Sequence, residues 1–309
     1  MIAIYKHSDN GLMTLAEPIS GVWINVVDPS PVDIEQLQKW GITPDYITYP
    51  LDMDERARTE RENGAIFILL RIPIFHGSTV DIPYITVPLG IILTDQYVIT
   101  ICKQENDILR ELISGRVRSL STGKRNRFVL RVLLSTASKY LADLREINRA
   151  VDTLEDQLQR STRNKEVLEL LKYQKSLTIF TTALKSNELM MERLSRSQLF
   201  KMYPEDEDLF EDVLTENQQA IEMTNISSNI LSSMMDAFAS IISNNMNTVM
   251  KFLTSITIVV SLPTIIASFY GMNVTLPLQN NPFAFMMTLL IAFVVMIGVA
   301  VVFWKRDWL

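Results

Sequence analysis

Cysteine is almost missing from this chain, and histidine nearly so: Cys102 stands alone, and His7 and His76 are the whole histidine complement. One cysteine excludes an internal disulfide and any multi-cysteine zinc site, and two histidines without thiolate support do not make a transition-metal centre. The same scarcity leaves no convincing nucleophile and base pair for covalent catalysis. Excess positive charge is lacking too. With 29 Lys and Arg against 35 Asp and Glu the formal charge is −6, which gives no hint of a nucleic-acid partner. No secretory leader precedes Met1-Ile2-Ala3-Ile4-Tyr5-Lys6, so the N-terminal part is expected to stay in the cytoplasm. A phosphate loop also fails. Ser121-Thr122-Gly123-Lys124 has the right flavour, but Arg118 stands where the partner glycine belongs and Arg125 replaces the hydroxyl metal ligand. Carboxylates are plentiful on helical stretches, where exposed acids are the default and single out no general acid or base. The chain therefore reads as no enzyme.

What is present begins with runs rich in Val, Ile and Phe. Gly21 to Val27, Ala65 to Phe75, Ile82 to Thr94 and Tyr97 to Cys102 read as strands, with Thr94-Asp95-Gln96 and Asn63-Gly64 as turns. Pro29-Ser30-Pro31 followed by Asp33 and Glu35 reads as a helix start, with Ser30 as cap and acids at the positive end of the dipole. Residues 1–120 thus form a mixed α/β domain. The charged segment Asp52 to Glu60 reads as a solvated surface of mixed ion pairs, each worth little.

Glycine disappears from Arg125 to Tyr270, and apolar residues take helical spacing. A helical hairpin over 121–204 follows, one arm burying Leu133, Leu141, Leu144, Ile147, Val151, Leu154 and Leu158, the other Leu168, Leu171, Leu177, Leu184 and Leu194. Ser161-Thr162-Arg163-Asn164 is the turn between them. After Pro204 a stalk helix covers 205–270, with Met223, Ile226, Ile230, Met234, Ala237 and Ile241 as its apolar seam. At 1.5 Å per residue it extends on the order of 100 Å, a rod able to couple a soluble domain to a membrane.

Two stretches carry no charge: 252–270, at the end of the stalk, and 283–304. Each is long enough to cross the ~30 Å hydrocarbon core as a helix. In the first span the polar residues form one line. Asn247, Met250, Thr254, Thr257, Ser261, Thr264, Ser268 and Gly271 follow at alternating spacings of three and four, and among the hydroxyl side chains only Ser255 lies off the line. That spacing is the seam of a left-handed supercoil. Ser and Thr in membranes often bond their own i−4 carbonyls or let helices pack closely. An ordered polar line ending in Gly and Asn reads instead as a pore lining, because polar groups in membranes face an interior or water. Pro263 leaves the Val259 carbonyl without its helical donor. The second span contains only Thr288 and Gly298 as interruptions and is expected to face lipid. Lys251 before the first span and Lys305-Arg306 after the second, with no basic residue in 271–282, place both termini in the cytoplasm and the loop outside. One helix cannot enclose a pore, so the line implies a ring of chains.

The first span closes on Tyr270-Gly271-Met272-Asn273, preceded by Pro263-Thr264 and, one span earlier, by Met246-Asn247 and Val249-Met250-Lys251; the chain ends in Lys305-Arg306-Asp307-Trp308-Leu309. In these features it resembles the CorA-type magnesium channel family, specifically over the last 65 or so residues and in architecture before them. The resemblance implies a pentamer in which Asn273, with Gly271, Met272 and Tyr270, forms a selectivity filter at the outer mouth, while Met250 and Leu253 make a hydrophobic constriction. Neutral carbonyl oxygens suit a cation that dehydrates reluctantly and retains its waters. It also implies a regulatory metal at an intersubunit site holding Asp212. The family's partner acid falls near Tyr49 here, leaving Asp52 or Asp54 as substitutes. Asp208 belongs to the same acidic run, Glu205-Asp206-Glu207-Asp208 with Glu211-Asp212, whose copies in a ring would repel one another unless cations lay between them. Two departures stand out: Arg56-Ala57-Arg58 replaces an arginine-proline-lysine run, and Thr275 to Asn281 lacks the acid that relatives often carry in the outer loop.

The expectation is an α+β membrane protein of the plasma (inner) membrane: α/β domain 1–120, hairpin 121–204, stalk 205–270 entering the first span at about 252, external loop 271–282, second span 283–304 and cytoplasmic tail 305–309. It passes Mg²⁺, and also Co²⁺ or Ni²⁺, passively into the cytoplasm and needs no cofactor; Mg²⁺ is both substrate and regulatory ligand. Its partners are copies of itself, the bilayer and divalent cations. The alternatives are a membrane-tethered coiled-coil scaffold without transport and a zinc-transporting relative.

Overall fold

The computed structural model describes residues 1–8, 11–115, 117, 120–160, 164–196, 203–275, 277 and 281–308. The chain divides into two units, Met1–Met235 and Asp236–Leu309.

The first unit is built on seven strands: β1 (Ile2–Ser8), β2 (Gly11–Leu15), β3 (Val22–Val27), β4 (Arg58–Glu62), β5 (Ala65–Phe75), β6 (Tyr84–Leu93) and β7 (Tyr97–Cys102). They lie in the order β2-β1-β3-β7-β6-β5-β4. Only β3 and β7 pair in parallel. The inner strands β3, β5, β6 and β7 are largely apolar runs because both faces of the sheet are covered there. On β5, Phe67 and Leu69 join one core with Ile24, Leu37, Tyr46 and Ile99, while Ile68, Leu70 and Ile72 join a second with Trp23, Leu89, Phe128 and Leu133. Helices α1 (Pro31–Lys39) and α2 (Pro44–Thr48) cover the first face; α3 (Asp107–Ile113), α4 (Arg125–Arg160) and α5 (Asn164–Arg196) cover the second. Ser30 and Asp33 close a capping box at α1, where Pro31 sits in the first turn. Gly90 is required by contact rather than by conformation, since a Cβ there would lie 2.3 Å from Cγ of Pro50.

Buried polar groups in the sheet are bonded in series. Trp23 Nε1 donates to Thr100 Oγ1 at 2.8 Å, and that hydroxyl donates to Asn25 Oδ1 at 3.0 Å. Arg71 on β5 faces Pro88 across the ladder. A proline has no N–H, so the Arg71 main chain turns the other way, beyond the end of β4, whose pairing stops at Arg58 with Leu69. Asn187 of α5 takes the place of the missing strand, accepting from Arg71 N–H and donating to Arg71 C=O, both at 2.8 Å.

Several expectations need correction. β1, β2, α2 and α3 had no counterpart in the sequence reading, and the end of the charged segment forms edge strand β4, where Arg58 pairs with Glu55 and Glu60. On α4 the expected face is buried, with Leu154 half-buried. On α5, Leu168 and Leu171 are exposed at 60% and 41%, and Leu170 is buried in their stead. The turn at Ser161-Thr162-Arg163 lies outside the described residues, and Asn164 begins α5.

Helix α6 spans Pro204–Tyr270 and contributes to both units. In the first, it buries Leu209, Phe210, Val213, Asn217, Ala220, Ile221, Thr224 and Leu231. The expected seam lies on another face: Ile226, Ile230 and Ile241 are exposed, and Met223 and Met234 half-buried. The second unit adds α7 (Ala284–Lys305), none of whose residues is buried.

Candidate pore and cation sites

Within the second unit the first span presents two faces. Ser255 is fully buried, and Val259, Leu262, Pro263 and Ile266 are half-buried. Pro263 and Ile266 line an apolar groove of about 670 Å³ with Phe285, Thr288, Ala292 and Met296 of α7. All eight residues of the polar line are exposed. At 3.6 residues per turn the two faces point roughly 150° apart. The one hydroxyl off the line is therefore the one covered in the single chain.

Four of the five hydroxyls on the line use their protons internally. Thr257, Ser261, Thr264 and Ser268 donate to the carbonyls of Leu253, Thr257, Val260 and Thr264, at 2.8, 2.6, 3.2 and 2.8 Å. Ser255 does the same toward Lys251. A hydroxyl has one donor and two acceptor positions, so these oxygens present acceptors outward. The expected i−4 bonding and an outward polar face thus coexist.

The span ends where Gly271 N–H donates to Ala267 and Ser268 carbonyls and Met272 N–H to the Phe269 carbonyl. Asn273 follows beyond the helix with its side chain exposed. Tyr270, expected in the filter, donates its hydroxyl to the Pro277 carbonyl at 3.3 Å and so tethers the loop. Leu276 and Leu278-Gln279-Asn280 lie outside the described residues. Met250 and Leu253 are exposed on the same helix.

The regulatory candidates are scattered over the first unit. Asp208, Asp212, Asp52 and Asp54 are all exposed, and among the described residues no group of three His, Cys, Asp or Glu side chains converges on a metal position. The acidic run is partly consumed within the chain: Arg127 pairs with Asp206 at 2.6 Å and with Glu205 at 3.4 Å, and Lys124 reaches Glu205 at 3.8 Å. Glu207, Asp208, Glu211 and Asp212 remain on the exposed side. Tyr49 lies under Arg58, whose guanidinium carbon is 4.4 Å from the ring centre, so that position carries a cation–π contact in place of an acid.

Arg71 is the residue that sequence reasoning missed. Its guanidinium donates to the Met53 carbonyl at 2.6 Å, the Glu55 carbonyl at 3.0 Å and the Thr86 carbonyl at 2.7 Å, which pins the turn carrying Asp52 and Asp54. Within that turn Asp54 N–H donates to Asp52 Oδ1. Burial lowers the Arg71 pKa from its ordinary value, with Tyr140 and Asp54 opposing the fall. The available signal was a single charge inside the apolar run Ala65 to Phe75.

These features define a class: a membrane protein with a large soluble N-terminal unit, one long helix and two C-terminal apolar helices of spanning length. The chain belongs to the CorA family, whose model, described as CorA-like Mg²⁺ transporter protein, matches residues 20–306. It is similar to the cobalt/magnesium transport protein CorA of Methanocaldococcus jannaschii, 28% identical over 300 residues, which cover 93% of this chain and 91% of that one. It is also similar to the protein of the same description from Thermotoga maritima, at 24% over 313 residues covering 99% and 88% of the two chains. The complete structure of the M. jannaschii CorA magnesium transporter superposes with a TM-score of 0.86 at 26% identity, covering 100% of this chain and 99% of that one.

Proposed function

We propose that this protein is a passive Mg²⁺ channel of the plasma (inner) membrane, with Co²⁺ as a second cargo, built as a ring of identical chains, five by family resemblance. One observation carries the reading: the polar line of the first span lies on the exposed face, away from α7. In water-free hydrocarbon such a face needs either water or copies of itself. Both conditions are met when the lines of several chains surround a common axis.

The direction of the hydroxyl bonds favours a hydrated cation as cargo. Waters bound to Mg²⁺ point their protons outward, and a line of acceptor oxygens can receive them without stripping the shell. Asn273 supplies a ring of amide oxygens at the outer mouth, with the Gly271 carbonyl close by in sequence. Met250 and Leu253 form the dewetting constriction toward the cytoplasmic end. Cytoplasmic Mg²⁺ at Asp212, bridged to a neighbouring chain through the 52–54 turn, holds the ring closed. The family resemblance supports this last assignment.

The test is flux and accessibility in liposomes containing the purified protein. Wild type is expected to admit Mg²⁺ down its gradient, and cysteines at Thr257, Ser261 and Thr264 to react with small aqueous thiol reagents far faster than cysteines at Ile258 or Ile265. Equal reactivity at all five positions would remove the one-sided pore face. Absent flux from an integrated, assembled protein would leave the scaffold alternative.

A further inference from the structure

The end of α7 is a complete Schellman turn. Trp308 N–H donates to the Phe303 carbonyl at 3.0 Å, and Asp307 N–H to the Trp304 carbonyl at 3.2 Å. Asp307 occupies the left-handed position with φ 55°, where glycine is the usual residue. The apolar contact that accompanies this motif is present as well, since the Trp308 and Phe303 rings stack with centroids 5.5 Å apart and planes 7° apart. The turn folds Trp308 back alongside the last apolar turn of the span, and leaves Lys305 and Arg306 exposed at the extreme end. Trp304 is 70% exposed. Aromatic rings at the depth of the last helical turn, with two cations one step farther out, match the layering of a bilayer, where the acyl boundary gives way to phosphate.

We propose that this turn is an anchor for an anionic phospholipid of the cytoplasmic leaflet, with Lys305 and Arg306 on the headgroup phosphate and Trp304 and Trp308 at the acyl boundary. The charge argues for the occupant: the span itself is uncharged, and the two cations that follow it are exposed. Asp307 acts by shape, because the turn holds the cations and the rings at fixed relative height. The inference rests on the membrane reading above, but not on conduction.

The experiment uses the full chain in liposomes, in a Trp304→Phe background that leaves Trp308 as the only tryptophan of the second unit. Quenching of its fluorescence by brominated phosphatidylglycerol is compared with quenching by brominated phosphatidylcholine at equal mole fraction. Each basic side chain near an anionic surface is worth about fivefold, so the preference for phosphatidylglycerol is expected at roughly twentyfold and should fall to near parity in Lys305→Gln with Arg306→Gln. Asp307→Gly should at least keep the preference, and Asp307→Val, which opposes the left-handed turn, should weaken it. Added inorganic phosphate should not compete. Equal quenching by the two lipids in the parent, an equal loss in Lys251→Gln, or displacement by free phosphate would each overturn the proposal. Release of the protein from vesicles by alkaline wash would overturn it together with the membrane reading. A protein that keeps the lipid preference but conducts no Mg²⁺ would sink the channel reading alone.

Discussion

Met1–Met235 and Asp236–Leu309 solve the problem of apolar surface in opposite ways. The first encloses it: both faces of the sheet disappear under helices, and Trp23, Phe67, Phe128 and Tyr140 have no exposed surface. The second scarcely encloses anything, with Phe238 and Ser255 alone buried among its described residues. Water is the solvent that drives the first arrangement. In the second, lipid replaces water around apolar side chains, so exposure of Leu, Phe and Val costs nothing and the demanding groups are the polar ones. The soluble unit is thus largely satisfied by its own chain, whereas the polar line from Asn247 to Gly271 has no intrachain cover. Incompleteness of one unit beside completeness of the other is what the proposed ring of chains would remedy.

That contrast is open to attack at its strongest point first. Asn273→Ala is expected to lower Mg²⁺ uptake to the level of protein-free liposomes while the melting of the soluble unit stays where it was; normal uptake by an intact assembly would end the filter assignment. Next comes a pair of phenylalanines. Phe67 is buried and stacked on Tyr46 at 4.6 Å, and Phe67→Ala should cost about 3–5 kcal/mol in denaturant unfolding of the soluble unit. Phe293→Ala, at a position 54% exposed on α7, should leave that unfolding unchanged. Similar losses at both would mean that the two units are not independently held.

The smallest effect concerns the α1 cap. Ser30→Ala should cost about 1 kcal/mol. Asp33 has its pKa lowered from 3.8, first by the Ser30 backbone hydrogen bond, against the opposing effect of burial, with the chain's terminal ammonium and the Ser30 hydroxyl adding to the fall. A depressed carboxylate pKa contributes stability above its unfolded value, lost as pH falls through the folded one. Asp33→Asn should therefore be less stable than wild type at neutral pH, with a shallower acid decline, so that the difference closes as unfolding is titrated below pH 4. Parallel curves would assign the cap no electrostatic role.

Legibility in the sequence followed the same division. Strands β3, β5, β6 and β7 were readable because burial on two faces makes an unbroken apolar run. The half-exposed β1 and β2 carry a weaker pattern, and β4 looks like a charged surface because an exposed edge is where charge protects a sheet. The leucines at 168 and 171, and the isoleucines at 226 and 230, show that helical periodicity identifies an apolar face without saying what covers it. Ser255 was separable from the polar line by spacing alone, and it is the hydroxyl that the structure buries. Arg71 was not legible as a hub, since its partners at Met53, Thr86, Tyr140 and Asn187 are distant in sequence.

The amide of Asn187 that stands in for a strand has a consequence for birth on the ribosome. It lies 116 residues after the Arg71 backbone it completes. At roughly 5–20 residues per second, on the order of ten seconds of synthesis pass between the emergence of β5 and the arrival of the side chain that seals it. During that interval the nascent sheet offers an open hydrogen-bonding margin to any neighbouring chain. Closure by α5 is thus a late event imposed by chain order, and until it happens the Arg71 main chain stays open to pairing with another copy emerging from the same message.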